Sequence, residues 1–332
     1  MKALRRLTER CVNIRIKFLD YARSSVLFLA LAIDLLLGDP PNRFHPVAWM
    51  GNLIAALKKN RPYDDARREL TFGAKTLAIG GGLVVSVGLL LKALFGKLPR
   101  PFNWLAEAVA LKSMFALRGL DRAAGEVQAA LDAGDLAEAQ RLVSWHLVSR
   151  ETKMLDESGV AAATIESVAE NASDSLIAPI FFYLIGGLPL AFLYRFLNTA
   201  DSMLGYRTPE YEWLGKIPAR LDDLLNIIPS RLTAGLIALA APLIGTPSKR
   251  VVEVIRRDAR LTESPNAGYP MSAMAGALGV ELSKDGHYSL GADQAHPESD
   301  DVSRARTLLF GITGIGLALT LLTSIFRRKS SR

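Results

Sequence analysis

Cysteine is nearly absent from this 332-residue chain, with Cys11 the single example. That excludes a disulfide within one chain and any cysteine-cluster metal site. There is no Gly-x4-Gly-Lys-Ser/Thr loop, so a P-loop nucleotide site is excluded. Gly80-Gly81-Gly82 lies within an apolar segment and follows no strand, so it is no dinucleotide fingerprint. His-Glu-x-x-His and Gly-x-Ser-x-Gly are missing as well, which removes the common zinc-peptidase and serine-hydrolase readings. Zinc-finger spacings are lacking, and aromatic residues do not alternate with basic ones as base-stacking surfaces require. Nucleic acid is therefore not an expected partner. Internal repeats and low-complexity tracts are also lacking.

Hydrophobic residues, by contrast, make up 50% of the chain, and the mean hydropathy is +0.20. Charge is gathered into blocks between apolar runs. The expected fold is all-α: a polytopic membrane protein with about four to six membrane-embedded helical segments and large helical cytoplasmic loops. The net charge of +7 fits an excess of Lys and Arg in cytoplasmic loops. One membrane-embedded domain, residues 24–326, is expected between a basic amphipathic surface helix, 1–23, and a basic tail, 327–332. In the first segment Leu4, Leu7, Cys11, Ile14 and Phe18 recur at helical spacing among Arg and Lys. A cleaved secretory signal is the rival reading. The apolar run that follows contains Asp34, and no cleavage-site character comes directly after it.

Apolar segments run from Ser25 to Leu37, Phe72 to Phe95, Leu176 to Leu197, Leu232 to Ile244 and Leu308 to Phe326. Phe72–Phe95 is the clearest span, about 36 Å long as a helix. Leu176–Leu197 carries Gly186-Gly187-Leu188-Pro189 at its centre. It reads either as one kinked span or as a re-entrant pair of half-helices. Phe102–Leu117 reads as amphipathic and 119–149 as a water-exposed helical pair broken near Gly134. Five crossings would place the two basic termini on opposite faces, so some segments should enter the membrane without crossing it.

The chemistry gathers between residues 150 and 231. Glu166, Glu170 and Asp174 are spaced i, i+4, i+8, which stacks three carboxylates on one helix face. Such a stripe either faces water or meets a cation, and Mg²⁺ with substrate phosphate fits. Asn198, Asp201 and Ser202 follow the apolar segment directly, and Arg220, Asp222 and Asp223 come soon after. An arginine fork flanked by carboxylates suits a phosphate and its metal ion, although the same pattern also forms surface ion pairs. Asp34 in an apolar helix must face protein or a site. His45, in a stiff proline-rich turn, is either structural or an acid–base group. The turn Ser264-Pro265-Asn266-Ala267-Gly268 can present Asn266 and backbone N–H groups to an anion. A transporter with an intramembrane acidic site is the alternative function, but it predicts internal two-fold repetition, which the sequence lacks.

Taken together, these motifs resemble the adenosylcobinamide-phosphate synthases of cobalamin biosynthesis, the CobD/CbiB family. The similarity is carried by Asp34-Leu-Leu-Leu-Gly38-Asp39-Pro40-Pro41 with His45-Pro46, by Arg150-Glu151-Thr152, and by Glu166, Glu170-Asn171 and Asp174. It continues through Asn198-Thr199, Asp201-Ser202-Met203, Ala219-Arg220-Leu221-Asp222-Asp223, Ser264 to Gly268 and Ala275 to Gly279. It extends over about residues 25–310. It implies a multi-pass enzyme of the cell inner membrane, with its site facing the cytoplasm. The implied reaction is ATP- and Mg²⁺-dependent amide-bond formation. It joins the corrinoid adenosylcobyric acid to (R)-1-amino-2-propanol or its O-phosphate. A homo-oligomer or association with other late cobalamin-pathway enzymes is compatible with it. For residue roles, Glu166, Glu170 and Asp174 are expected to be catalytic, and Asp201, Asp222 and Asp223 to bind metal. His45, Arg150, Asn171, Asn198, Arg220 and Asn266 are expected to hold substrate or phosphate, and Asp34 and Asp39 complete the N-terminal motif. The chain departs from the family pattern at Glu151, Ala162, Ser175 and Ser283-Lys284-Asp285.

Overall fold

The computed structural model describes residues 21–63, 65–148, 151–206, 208–284 and 286–330. Most of the expected surface helix 1–23, together with Arg150 and the end of the tail, lies outside these residues. The described chain is mostly helical. Helix α1 (Tyr21–Leu37) takes up the first apolar run and ends at Gly38, whose φ of 68° only a residue without a Cβ adopts freely. Pro46 opens α2 (Pro46–Lys58), and His45 caps it by accepting the Val47 N–H on Nδ1 at 3.2 Å.

The long helices begin before the apolar segments that signal them, because capping and early prolines decide where a helix begins. α3 runs Ala66–Phe95 rather than from Phe72, since Asp65 accepts the Arg68 N–H at 2.8 Å. After α4 (Phe102–Lys112) come α5 (Leu117–Asp132) and α6 (Leu136–His146), joined through Gly134 at φ 71°. The pair is not water-exposed throughout. Ala124, Val127, Ala139 and Val143 are fully buried, because neighbouring helices close over that face. α7 (Glu157–Asn171) is almost wholly buried and passes into a π-helical turn, Ala172–Ile177.

The segment Leu176–Leu197 is a pair of half-helices, α8 (Ala178–Gly186) and α9 (Leu188–Leu204). Gly187, at φ 70°, reverses the chain, and Pro189 restarts the helix in its first turn, where a missing N–H costs nothing. The halves lie side by side: the Phe182 and Tyr194 rings stack 5.0 Å apart, and Arg195 reaches Ser175. The Arg23 guanidinium donates to the carbonyls of Leu184 and Ile185 at 2.6 and 3.1 Å, satisfying the end of α8. α3 receives α9 along a strip of glycines. A Cβ at Gly80 would collide with the Phe196 ring, and one at Gly88 would lie 2.7 Å from Pro189 Cα. Gly80 and Gly81 of the triple, with Gly88, thus form a packing groove, while Gly82 faces open space.

α10 (Lys216–Leu225) leads into α11 (Ile227–Ala240), which a 3₁₀ turn extends to Ile244. Pro229 is tolerated as the third residue of α11, so the helix starts before the expected Leu232. α12 (Ser248–Asp258) and α13 (Gly268–Leu278) pack together. The strictly all-α expectation is corrected by a two-stranded antiparallel hairpin, β1 (Leu282–Lys284) and β2 (Tyr288–Leu290), paired Leu282 to Leu290. Three-residue strands carry too little alternation to be read in sequence. This hairpin is held by burying Leu282 and Leu290 in the core. The last helix, α14 (Ser299–Ser330), is far longer than the apolar stretch that signals it. Among the described residues three helices are long and apolar enough to cross a membrane: Ala66–Phe95, Ile227–Ile244 and Ser299–Ser324.

Candidate active site

Asp222 on α10 is the centre of the polar interior. Its two carboxylate oxygens are each held by an amide: Asn198 Nδ2 donates to one at 3.2 Å and Asn226 Nδ2 to the other at 2.9 Å. Asn226 is oriented in turn by Tyr194, whose hydroxyl lies 2.9 Å from Asn226 Oδ1 and 3.1 Å from the Asp174 carbonyl. Helix α9 also provides Arg195, which donates to Ser175 Oγ at 3.2 Å and Asn198 Oδ1 at 3.3 Å. Ser175 passes the chain on to Asn171 Oδ1 at 3.0 Å. One network therefore links the π turn, the α8–α9 hairpin and α10. It exists because the hairpin returns α9 to the point where α8 began.

The electrostatics are those of an acid cluster with little countercharge. Burial raises the Asp174 carboxyl, and the charges of Asp222 and Glu170 push it further. Burial also raises Asp222, while the bonds from Asn198 and Asn226 hold it back. Asp201 is pushed up to about 7, first by burial and then by Asp222, Asp223 and Glu170. Glu170 is crowded by protein yet its side chain still meets water. Burial and the Asp222 charge raise it, and Lys284, at the β-hairpin, draws it back. Arg195 is the cation whose field opposes the charge on Asp174 and Asp222.

Of the expected site residues, the structure thus assembles Glu170, Asp174, Asn171, Asn198, Asp201, Asp222 and Asp223. Glu166 sits one turn earlier in the buried wall of α7. The π turn breaks the 3.6-residue period there, so the predicted stripe is not continued evenly to Asp174. Arg220 lies apart from the network and is exposed. Together with Asp223, Lys216, Glu212, Tyr206 and Tyr211, it lines an open cavity of about 340 Å³ beside the network. Asn266 is engaged within the protein: it donates to the Asp223 carbonyl at 2.6 Å and accepts from Arg231 at 2.9 Å. The N–H groups of Asn266 and Ala267 turn to Ser264 Oγ. Arg150 lies outside the described residues.

The N-terminal motif forms a brace. Lys112 donates to Asp39 at 2.5 Å and lies 3.6 Å from Asp34, which is wholly buried. Asp34 also accepts the Arg118 N–H at 2.9 Å, fixing the start of α5. His45 Nε2 lies 3.4 Å from Asp39. With Nδ1 accepting from Val47, the proton belongs on Nε2, facing that carboxylate. Burial alone would raise Asp39, but the bonds from His45 and Lys112 bring it down to about 2. The Asp39 charge also acts on Arg195, so the brace adjoins the network.

Among the described residues, no three His, Cys, Asp or Glu side chains converge as an ion-holding group. Mg²⁺ does not need such a cage, since it takes one or two carboxylates and completes its shell with water and substrate phosphate. The donors here are hard oxygens, and their mutual repulsion, visible in Asp201 and Asp174, would be relieved by a cation. The residues therefore fit Mg²⁺.

A family model described as CobD/Cbib protein matches residues 27–309. The chain belongs to this family. Its relatives include the probable cobalamin biosynthesis protein CobD of Methanothermobacter thermautotrophicus, 40% identical over 267 residues, covering 80% of this chain and 86% of the relative. The CobD protein of Citrobacter koseri is 38% identical over 303 residues, covering 88% and 94%. That of Dehalococcoides mccartyi is 42% identical over 270 residues, covering 81% and 86%. No solved structure matches the chain. Membership places the chain in cobalamin biosynthesis. The matched span includes the whole polar network, from the Asp34 brace to Asn266. Sequence reasoning missed four members of that network: Arg195, Tyr194, Asn226 and Lys112. A signal was present for Arg195, an arginine in an apolar segment three residues before Asn198.

Proposed function

We propose that this protein of cobalamin biosynthesis joins adenosylcobyric acid to (R)-1-amino-2-propanol, or its O-phosphate, through an ATP-dependent amide bond. The observation that carries the reading is the acid network around amide-held Asp222, opening beside a cavity that presents Arg220 and Lys216. A carboxylate does not acylate an amine at neutral pH without activation. Its oxygen attacks the γ-phosphorus of ATP, ADP leaves, and an acyl phosphate results. The amine nitrogen then attacks the acyl carbon, phosphate leaves, and one proton must be removed. Glu170 suits that task, because burial and Asp222 raise its carboxyl toward the working pH while water still reaches it. One or two of Asp201, Asp222 and Asp223 would hold Mg²⁺, which would supply charge neutralisation at phosphate oxygens. Arg220 neutralises the transferred group, with Arg150 as its expected partner. Asn198, Asn226 and Tyr194 keep Asp222 in place and cost no reorganisation during the reaction.

In this reading the enzyme resides in the cell inner membrane with its network open to the cytoplasm. The three long helices, α1 and the α8–α9 hairpin are all embedded in the bilayer, and those among them that enter without crossing keep the site loops on one face. The test is purified protein supplied with adenosylcobyric acid labelled with oxygen-18 in its reacting carboxylate, ATP, Mg²⁺ and the amine. The label is expected in inorganic phosphate. Label in AMP instead would show adenylation and refute the acyl-phosphate step; no amide product with either amine would refute the assignment itself.

A further inference from the structure

A second polar feature lies away from the acid network, at the start of α3. Arg67, Arg68, Thr71 and Lys75 recur at helical spacing on one face. With Pro62 and Phe72 they line an open cavity of about 350 Å³. Its lining holds three cations and no acid. Glu69, next to Arg68 in the chain, is buried and does not line the cavity, and Asp65 is turned to the Arg68 N–H as the helix cap. Thr71 donates its hydroxyl proton to the Arg67 carbonyl, which leaves its oxygen at the cavity wall.

The length of α3 says where this cavity sits. Its 30 residues span about 45 Å, whereas the hydrocarbon layer is about 30 Å thick. The stretch Leu77–Phe95 alone covers about 28 Å and fills that layer. The first ten or so residues, which include Arg67 to Lys75, therefore stand in the headgroup layer. Phe72, between the cations, is partly buried against the core and closes the apolar side of the cavity.

We infer that this cavity binds the phosphate headgroup of an anionic membrane phospholipid, with Arg67, Arg68 and Lys75 on the phosphate and Phe72 against the first acyl carbons. The cations act together, so binding does not depend on any one of them being otherwise unengaged. The inference is independent of the amide-forming reaction.

The full chain, purified in a neutral detergent, is probed by native mass spectrometry with phosphatidylglycerol, with phosphatidylcholine and with inorganic phosphate. Phosphatidylglycerol should be retained about 10-fold or more over phosphatidylcholine, because each basic residue near the headgroup adds attraction to a net negative lipid. The triple variant Arg67→Gln, Arg68→Gln, Lys75→Gln should lose that preference. Lys92→Gln, at the other end of α3, should keep it. If the triple variant unfolds, Lys75→Gln alone should still lower the preference, and added salt should weaken it in the wild type. Equal retention of the two lipids by the wild type, or an unchanged preference in a folded triple variant, overturns the inference. Displacement of phosphatidylglycerol by millimolar inorganic phosphate overturns the lipid as occupant and leaves a free-phosphate site.

Discussion

Asp201 offers the sharpest test of the acid network. Its carboxyl is pushed from the ordinary 3.8 to about 7, first by burial and then by Asp222, Asp223 and Glu170. The folded protein thus holds this proton more tightly than the unfolded chain does. The stability linked to it is complete below about pH 4 and is lost as pH rises through about 7. A change from 3.8 to about 7 corresponds to about 4 kcal/mol as a ceiling. Asp201 still meets water, and screening reduces the expected loss to about 1–2 kcal/mol. Asp201→Asn keeps the shape and removes the titration. Thermal unfolding in detergent, from pH 5.5 to 8.5, should show the wild type losing a few degrees relative to the variant as pH rises. Mg²⁺ should restore more stability to the wild type at pH 8 than at pH 6, because only the ionised cluster attracts it. It should restore less in Asp201→Asn. Parallel pH profiles for the two proteins, with equal Mg²⁺ responses, would refute the reasoning.

Glu170→Gln keeps the shape and removes a charge that burial and Asp222 disfavour, so it should fold and insert normally yet turn over poorly; near-normal amide formation would exclude it as the base. Arg195→Met should cost about 3–5 kcal/mol by leaving Asp174 and Asp222 without their cation. Arg195→Lys keeps the cation, and because one guanidinium nitrogen, Nη1, makes both bonds to Ser175 and Asn198, it should cost less than Arg195→Met; an unfolding midpoint equal to wild type in Arg195→Met would count against the network. Arg220→Lys should lower kcat about 10²-fold while KM for ATP moves little, read from steady-state kinetics. Single cysteines at Asn42, Asp156, Thr208 and Ser289, in a Cys11→Ser background, should all resist an impermeant thiol reagent applied to intact cells. Labelling of any of them would place part of the site on the opposite face.

The sequence alone was enough to establish a helical, membrane-grade chain and its family, because apolar runs and collinear motifs are local properties. It also named most of the acids that come together, from Glu170 to Asp223. It could not say whether Leu176–Leu197 crosses or returns. The glycine–proline break allows both, and the choice rests on Phe182 stacking on Tyr194 and on the glycine groove of α3 receiving α9. That return brings Arg195 to Ser175, 20 residues earlier in the chain, and the packing of α10 on α9 brings Asp222 to Asn198, 24 residues apart. The π turn is likewise invisible to a 3.6-residue period, which put Glu166, Glu170 and Asp174 on one even face. His45 and Asn266 read as ligand-binding groups by residue type, whereas their hydrogen bonds run to Asp39, Val47, Asp223 and Arg231. Hydrogen-bond partners distant in sequence are a property of the packed chain. Residue type bounds what a side chain can do, and packing selects which of those it does.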